Sequence, residues 1–441
     1  MKRSGGLVTF SILLFLAIYQ EQSRGEFIAD TGEVFDTVAR NIDPGGLYFL
    51  ICNTQTILAN LEEKLSGARD SAIAVQGLSI EEKEKLRTQF AFGMRILLGS
   101  GLQNIKAFGA SSKQDADGFF VNKIFVFGPS DMLWSALTNP EHDLYLNQLA
   151  PAETATFALF DLDIATLWRR LSRDLEGEQN QEITRWVRQI PKQVEGITGL
   201  SLEDLLGSVG TQFGYLLTLD PEKKVTIPVA TETYQLPEPA AAFICQVRDT
   251  KIFDRVDSLL SLTTGVESVD TPDFKMRVMR GSNPVDYVSP SVAQAGSWLM
   301  ISTNDKLILS VLATMHGKAP GLKSVPEFQN LTRSMPLKGN GVAYVSKRFQ
   351  KTLADIESKS LENTSSHNPS LDLLSAKMVS LYSDVSSYQV IKYRNDGVFA
   401  IGRTSKSVME LLGDVVTLSS YYLSVAAIEA LKQRRGPESH Q

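Results

Sequence analysis

The sequence predicts an α+β fold of duplicated modules, with mainly antiparallel sheets, helices packed on one face and a long C-terminal helix. One strand-to-helix pattern recurs four times along the chain, and glycine-bearing turns join neighbouring apolar segments as β-hairpins. Of the 441 residues, 43% are hydrophobic and 21% are charged, which is typical of folded globular proteins. The length is enough for two large domains or three smaller ones.

The repeated unit is a short apolar strand, followed by a polar break and an amphipathic helix. Its four copies begin near Tyr48, Thr156, Ala242 and Val342. Residues 156–171 and 241–256 align without a gap, and their apolar positions coincide. A spacing of about one hundred residues exceeds the 20 to 50 residues of solenoid repeats. The pattern therefore predicts duplicated α+β modules.

These units and the breaks between them predict five segments. A polar, proline-bearing stretch at residues 228–239 indicates a domain boundary, and the Ser- and Asn-rich residues 359–369 are predicted as a surface loop. The segments are a signal peptide (1–25), a first α+β domain (26–230), a second, related α+β domain (240–404), a C-terminal helix (405–435) and a disordered tail (436–441).

Local patterns predict where helices begin and where hairpins turn. Capping boxes, in which a serine is followed three residues later by an acidic residue, begin at Ser79, Ser201 and Ser324. Turns at residues 115–118 and 395–397 each join two strand-like segments. The sheets are therefore predicted to be mostly antiparallel.

The first residues have the features of a secretory signal peptide. Lys2 and Arg3 form a short positive region, residues 7–18 are apolar, and residues 23–25 place small side chains at the spacing of a signal-peptidase site. The apolar run is shorter than the roughly 20 residues that cross a bilayer. We expect an exported protein, periplasmic or extracellular, that starts at Glu26 and has no integral membrane span. An uncleaved N-terminal membrane anchor is the alternative.

Residues 405–435 are predicted to form one long helix. Apolar side chains recur every three or four residues, at Val408, Leu411, Val415, Leu418, Tyr422 and Val425. The simpler interpretation is a helix packed on the last sheet. The alternative is a coiled-coil or docking helix, which would serve a partner or self-association.

The chain has two cysteines, Cys52 and Cys245, and each lies in an apolar, strand-like segment. Two cysteines are too few for a disulfide scaffold. Free thiols buried as small apolar groups are predicted, with one disulfide between them as the alternative.

The residues and motifs that several common functions require are absent from the sequence. Forty-four basic and 50 acidic residues give a net charge of −6, and no basic run supports nucleic-acid binding. The histidines are His142, His316, His367 and His440, and no two have metal-ligand spacing. Nucleotide-binding glycine motifs and the GxSxG motif of hydrolases are absent, and the turn at residues 115–118 lacks the other ligands of a calcium loop. No catalytic residue, cofactor or metal site is predicted.

Asp161 and Asp163 form a candidate pair of carboxylates for acid–base chemistry. They lie on the same side of a predicted strand end. In the aligned copy these positions hold Gln246 and Arg248, which favours a stabilising role at a helix N-terminus over catalysis. The tryptophans are Trp134, Trp168, Trp186 and Trp298. Packing is their simpler role, and a glycan-binding platform is the alternative.

Two segments carry a family resemblance. Two segments, residues 197–214 and the ordered series 297–303, Leu307, 325–328, 335–339 and 343–345, resemble a bacterial exported family described as domain of unknown function 3352. The layout of that family covers about residues 45–405. The resemblance implies export and duplicated α+β modules, and it implies no active site.

The sequence does not reveal a biochemical activity. Repeated modules without a catalytic motif favour a non-enzymatic binding or scaffolding protein of the cell envelope. Its expected partner is an apolar ligand or an envelope protein. The alternative is an envelope hydrolase, whose carboxylates or serines would meet in the cleft between the two domains.

Overall fold

The computed structural model describes residues 31–55, 61–74, 79–84, 87–88, 90, 93, 101, 104–128, 136–137, 140–144, 146–176, 181–229, 232–280, 287–364 and 385–411. The predicted signal peptide and tail, and most of the predicted C-terminal helix, lie outside these residues.

The fold mixes helices and strands. The strands are β1 (Tyr48–Asn53), β2 (Ala107–Gln114), β3 (Phe120–Phe127), β4 (His142–Asp143), β5 (Thr154–Asp161), β6 (Val209–Val229), β7 (Glu232–Val247), β8 (Val266–Asp270), β9 (Lys275–Met279), β10 (Ser291–Ala295), β11 (Trp298–Ser302), β12 (Lys338–Gly339), β13 (Gly341–Val345), β14 (Ser387–Arg394) and β15 (Gly397–Thr404). The helices are α1 (Thr31–Ala39), α2 (Leu61–Ile73), α3 (Leu146–Leu149), α4 (Ile164–Glu176), α5 (Gln181–Thr198), α6 (Leu202–Ser208), α7 (Lys251–Leu260), α8 (Asp305–Met315), α9 (Pro326–Thr332) and α10 (Lys347–Thr364).

Thirteen of these strands form one antiparallel sheet. Their order is β1-β2-β3-β15-β14-β13-β5-β6-β7-β11-β10-β9-β8, and β4 pairs with β12 in a separate ribbon. The predicted α+β class with antiparallel sheets is therefore confirmed. The four predicted strand-to-helix units correspond to β1 with α2, β5 with α4, β7 with α7, and β13 with α10.

The sheet does not follow the predicted division into two successive domains. Strands from residues 26–230 and from residues 240–404 pair with each other at β3–β15, β5–β13 and β6–β7. The predicted boundary at residues 228–239 falls in the β6–β7 hairpin, whose outer part extends beyond the pairing of both strands with β5 and β11. Proline and polar residues suit this projecting pair of strands, because they discourage further pairing at its edges.

Two three-stranded units, β1–β2–β3 and β13–β14–β15, have the same topology. Each consists of a strand, a helical connection and a hairpin. Where the units meet, Phe120 lies opposite Thr404 and Phe127 lies opposite Gly397, so the first residue of each central strand pairs with the last residue of the other. The two units are thus related by a local two-fold arrangement. Duplication of the modules stays a prediction.

We call the side of the sheet that contacts α1, α8 and α9 the first face. Its core includes four neighbouring positions of α8, which are Leu307, Ile308, Val311 and Leu312. The ring of Phe328 from α9 meets Tyr344 at 5.3 Å and Tyr388 at 5.5 Å, both edge-on. Burial of each such side chain contributes about 2–3 kcal/mol.

The opposite side, the second face, also carries helices. Alternation along β7 directs Ile244 to the first face and Cys245 to the second, where Cys245 packs with Phe253 of α7. The prediction that helices pack on one face is therefore wrong. Strands in the middle of this sheet are apolar on both sides, so each side requires a covering layer.

The local predictions have mixed outcomes. Both predicted hairpins are present, as β2–β3 and β14–β15. Ser79 forms the predicted capping box, because its N–H donates to the Glu82 carboxylate (2.8 Å) while its Oγ accepts from the Glu82 N–H (3.2 Å). Ser201 caps α6 by accepting from the Asp204 N–H at 3.0 Å. Ser324 does not cap α9, since its hydroxyl donates instead to the Gly321 carbonyl at 2.7 Å and a proline begins the helix.

Cys52 and Cys245 are both free, as predicted. Cys245 is buried and Cys52 is half-buried. They lie on β1 and β7, eight strands apart in the sheet order. At about 4.8 Å per strand, this separation excludes a disulfide between them within one chain.

Candidate functional site

The structure separates the two predicted carboxylates. Asp163 precedes α4 and accepts hydrogen bonds from the backbone N–H (2.9 Å) and the hydroxyl (2.8 Å) of Thr166. Burial alone would raise the pKa of Asp163, but these hydrogen bonds outweigh it and the pKa is lowered. Asp163 thus has the stabilising role at a helix N-terminus that the sequence favoured.

Asp161 points to the first face and is 1% exposed. Its two carboxylate oxygens each lie 2.9 Å from Nε2 of His142, which belongs to the β4–β12 ribbon. Oδ2 also accepts a hydrogen bond from the side-chain amide of Asn340 at 3.1 Å, and the Asn340 carbonyl accepts from the Asp161 N–H at 2.8 Å. These contacts join the end of β5 to the ribbon and to the start of β13.

Both ring nitrogens of His142 face acceptors. Nδ1 lies 2.9 Å from the Asp143 carbonyl, and Nε2 faces the Asp161 carboxylate. The hydrogen bond with Asp161 raises the pKa of His142 above its usual value, against the opposing effect of partial burial. The arrangement is that of an imidazolium that donates from both nitrogens to acceptors on either side.

Two further side chains complete this cluster. The Gln212 side-chain amide nitrogen lies 2.8 Å from His142 Nε2 and 3.3 Å from Nδ1. Tyr393 is close to the same charge, since burial and then the Asp161 carboxylate raise its pKa to about 12. The Tyr393 N–H donates to the Asn340 side-chain oxygen at 2.9 Å. Each partner therefore has a defined orientation.

This histidine–aspartate pair does not have the geometry of a hydrolase triad. In a triad the carboxylate holds one ring nitrogen, and the other nitrogen takes the proton of the nucleophile. In His142 the carboxylate holds Nε2 and a backbone carbonyl holds Nδ1, so neither nitrogen can take that proton. The pair therefore fits a structural role.

The acidic turn at residues 115–118 has a partner that the sequence did not reveal. Arg403 of β15 is 1% exposed, and its guanidinium contacts the carboxylate of Asp117 and lies 3.5 Å from that of Asp115. It also stacks over the Phe119 ring at 5.3 Å. Among the described residues no group of acidic, histidine or cysteine side chains could hold a metal ion.

A cleft of about 650 Å³ lies between α4, α5 and α6. Trp168 and Arg169 of α4, Glu195 of α5 and Arg248 line it. Trp168 also packs on the pair formed by Leu175 and Val187. This tryptophan therefore has the packing role that the sequence favoured, while one side of it faces the cleft.

A row of exposed apolar side chains crosses the middle of the second face. Tyr215, Phe243 and Ile301 lie opposite one another on β6, β7 and β11, and they are 48%, 45% and 51% exposed. Phe160 of β5, 38% exposed, extends the row, and its ring lies 6.4 Å, centroid to centroid, from the ring of Phe213, which is itself buried. We call the four exposed residues the apolar row. No single sequence motif predicts it, because its members come from four strands.

Comparison with models of protein families, with curated proteins and with solved structures finds no match for this chain. The family resemblance of residues 197–214 and 297–345 therefore stays a prediction. In the part of the chain that the structure describes, no helix is both long and apolar enough to cross a membrane.

Proposed function

We propose that this chain is an exported, non-enzymatic binding or scaffolding protein of the cell envelope, and that a protein partner packs on its apolar row. The observation that carries the proposal is the exposure of Tyr215, Phe243 and Ile301 on three neighbouring strands. Single exposed apolar side chains are common on protein surfaces, whereas contiguous ones are typical of interaction sites.

The shape of the surface favours a protein partner over a small apolar ligand. Small ligands are usually enclosed, with most of their own surface buried in a pocket. The side chains of Tyr215, Phe243 and Ile301 project from the sheet and stay about half exposed, and they are aromatic or branched like those at the centres of protein interfaces. A partner that presents an apolar helix or sheet face would bury them.

Export and family membership are parts of the same proposal. The pattern of residues 2–25 supports a signal peptide, and residues 197–214 support membership in the exported family. The shared topology of β1–β2–β3 and β13–β14–β15 supports duplicated modules. Determination of the N-terminal residue of the exported chain tests the first part, with Glu26 expected.

The hydrolase alternative gains no support from the described residues. Its strongest candidate is the pair of His142 and Asp161, in which both ring nitrogens have acceptors. Asp163 is engaged by Thr166.

Site-specific photo-crosslinking tests the binding proposal. A benzophenone amino acid replaces Phe243 in the full chain, which is expressed and exported in its own cells. Leu262, 85% exposed and outside the apolar row, receives the same group as the matched control. We expect one discrete adduct from position 243 and none from position 262.

The substitution Tyr215→Glu should abolish that adduct, because it places a charge beside the crosslinking group. Identical products from both positions, or an adduct that survives Tyr215→Glu, would contradict the proposal. An adduct with twice the mass of the chain would identify the partner as a second copy of this chain. The apolar row would then be a surface for self-association.

A further inference from the structure

The cleft between α4, α5 and α6 has charges of both signs on its walls. Arg169 of α4 and Arg248, the residue after β7, supply two guanidinium groups. Glu195 of α5 and Glu203 of α6 supply two carboxylates, and all four residues are exposed. Among the residues that the structure describes, none of the four has an ion-pair partner. These charges are therefore available to a ligand in the cleft.

The two guanidinium groups are held in place by contacts that use few of their donors. In Arg169, Nε donates to the Ala165 carbonyl at 3.3 Å and Nη2 donates to the Thr166 hydroxyl at 2.9 Å. In Arg248, Nη1 donates to the Gly207 carbonyl at 3.1 Å. A guanidinium has five N–H donors, so most donors of both side chains are left for a ligand.

Both guanidinium groups act on the same carboxyl group, that of Asp163. Burial raises the pKa of Asp163, the hydrogen bonds from Thr166 lower it, and the charges of Arg169 and Arg248 lower it further. Such an effect falls off with distance, so the two cations lie near one point at the start of α4. Two guanidinium groups that converge in this way suit the carboxylate of a ligand, which accepts paired N–H donors.

Between these charges the cleft is apolar. Trp168 of α4, Pro191 of α5, and Leu202 and Leu206 of α6 line it. Its volume of about 650 Å³ lies within the range of small-molecule sites, and such sites combine apolar walls with a few polar groups. An apolar side chain of a ligand would lose contact with water against the Trp168 ring.

We propose that this cleft binds a short peptide with free ends and apolar side chains. The peptide carboxylate lies between Arg169 and Arg248, and the peptide ammonium group faces Glu195 and Glu203. An apolar side chain packs on Trp168. The site has no residue in common with the apolar row, so it is a second site with a different kind of ligand.

The charges of the walls favour a ligand that is itself charged at both ends. A simple anion would meet the two guanidinium groups and would also be repelled by Glu195 and Glu203. A simple cation would meet the reverse arrangement. In a peptide with free ends each charge has an opposite charge on the wall, and the apolar part of the peptide separates them.

Isothermal titration calorimetry of the full chain with leucyl-leucine tests the proposal. Three analogues each lack one feature of this dipeptide. The N-acetylated form has no ammonium group, the C-terminal amide has no carboxylate, and glycyl-glycine has no apolar side chain. We expect saturable binding of one leucyl-leucine for each chain, and binding that is about tenfold weaker for each analogue.

Variants of the cleft assign each end of the dipeptide to its wall. Arg248→Met should weaken the binding of leucyl-leucine at least fivefold, but should weaken that of the amide less than twofold, because the amide has no carboxylate to lose. Glu195→Gln should weaken the binding of leucyl-leucine at least threefold and leave that of the acetylated form unchanged. Arg185→Met is the matched control, since Arg185 is an exposed arginine of α5 outside the lining of the cleft.

The wild type and all three variants should have the same thermal unfolding midpoint, because the substituted side chains are exposed. No saturable binding of leucyl-leucine up to its solubility limit would overturn the proposal. Equal binding of leucyl-leucine and its acetylated form would overturn it as well, because the cleft would then bind simple anions. So would equal weakening by Arg248→Met and Arg185→Met, because the effect would then come from net charge and not from the cleft.

Discussion

The Nε2 atom of His142 lies 2.9 Å from each carboxylate oxygen of Asp161. His142 is in the β4–β12 ribbon and Asp161 ends β5, so this pair connects the ribbon to the main sheet. The Asp161 side chain is 1% exposed and the His142 side chain is 25% exposed. A buried carboxylate in this position requires its cationic partner, because an unpaired charge in the interior is costly.

Asp161→Asn should destabilise the protein by about 2–3 kcal/mol, somewhat less than a fully buried ion pair because His142 retains partial solvent contact. Asp143→Asn is the matched control, since it keeps the backbone carbonyl that faces His142 Nδ1 and removes a carboxylate whose charge acts on His142 less than the hydrogen bond with Asp161 does. It should change the free energy of unfolding by less than about 0.5 kcal/mol. Urea denaturation of both variants measures the difference, and equal losses would contradict a specific pair.

The contribution of His142 to stability should depend on pH. Folding raises the pKa of His142, so the folded state binds its proton more tightly than the unfolded state does. The stabilisation is then fully present below about pH 6.5, the ordinary value for histidine, and is lost as the pH rises through the folded pKa. The difference in unfolding free energy between the wild type and His142→Gln should therefore shrink from pH 6 to pH 9. A difference that stays constant over this range would contradict the imidazolium assignment.

The buried guanidinium of Arg403 predicts a second large effect. The guanidinium contacts the Asp117 carboxylate, lies over the Phe119 ring, and donates a hydrogen bond to the Arg333 carbonyl at 3.2 Å. Arg403→Met leaves the acidic turn without its buried cation. Because the side chains of Asp117 and Asp115 are 33% and 37% exposed, the loss should be about 1–2 kcal/mol. Arg333→Met removes a guanidinium that is 61% exposed and 3.5 Å from Asp117, and should cost less than about 0.5 kcal/mol. Denaturant midpoints of the two variants provide the comparison. Similar midpoints would show that the buried Arg403 contributes no more to stability than the exposed Arg333 does.

The sequence predicted the local elements better than their arrangement. All four strand-to-helix units and both hairpins form, because alternation, capping and turn residues act between neighbours in the chain. The pairing of β3 with β15 joins residues that are far apart in sequence, as Phe120 and Thr404 are. No local pattern specifies such a partner, so the single sheet could not be predicted from the repeats.

The candidate sites show the same limit. Asp163 could be assigned to a helix N-terminus from the adjacent helix alone, where it accepts from the N–H and the hydroxyl of Thr166. The partner of Asp161 belongs to a strand of two residues, His142–Asp143, which is too short to have a periodicity. The apolar row combines strands β5, β6, β7 and β11, and it becomes visible only when their register is known.

The turn of the β14–β15 hairpin predicts a substitution that the sheet should not tolerate. Gly397 has a φ of 149°, and an added Cβ would lie 2.0 Å from the Val126 carbonyl oxygen of β3. Neither strand can yield easily, since Gly397 pairs with both Phe127 and Arg394. Gly397→Ala should therefore cost about 3–4 kcal/mol, by strain at the residue and by displacement of β3 from β15.

Gly296→Ala separates these two causes. Gly296 also has a positive φ, 56°, but an added Cβ there would meet no atom within 4 Å. The left-handed backbone alone should cost about 1–2 kcal/mol. Thermal or urea unfolding of both variants should therefore place Gly397→Ala at least 1 kcal/mol below Gly296→Ala. If the two losses were equal, positive φ alone would explain them, and close contact between β3 and β15 would not limit the residue at position 397.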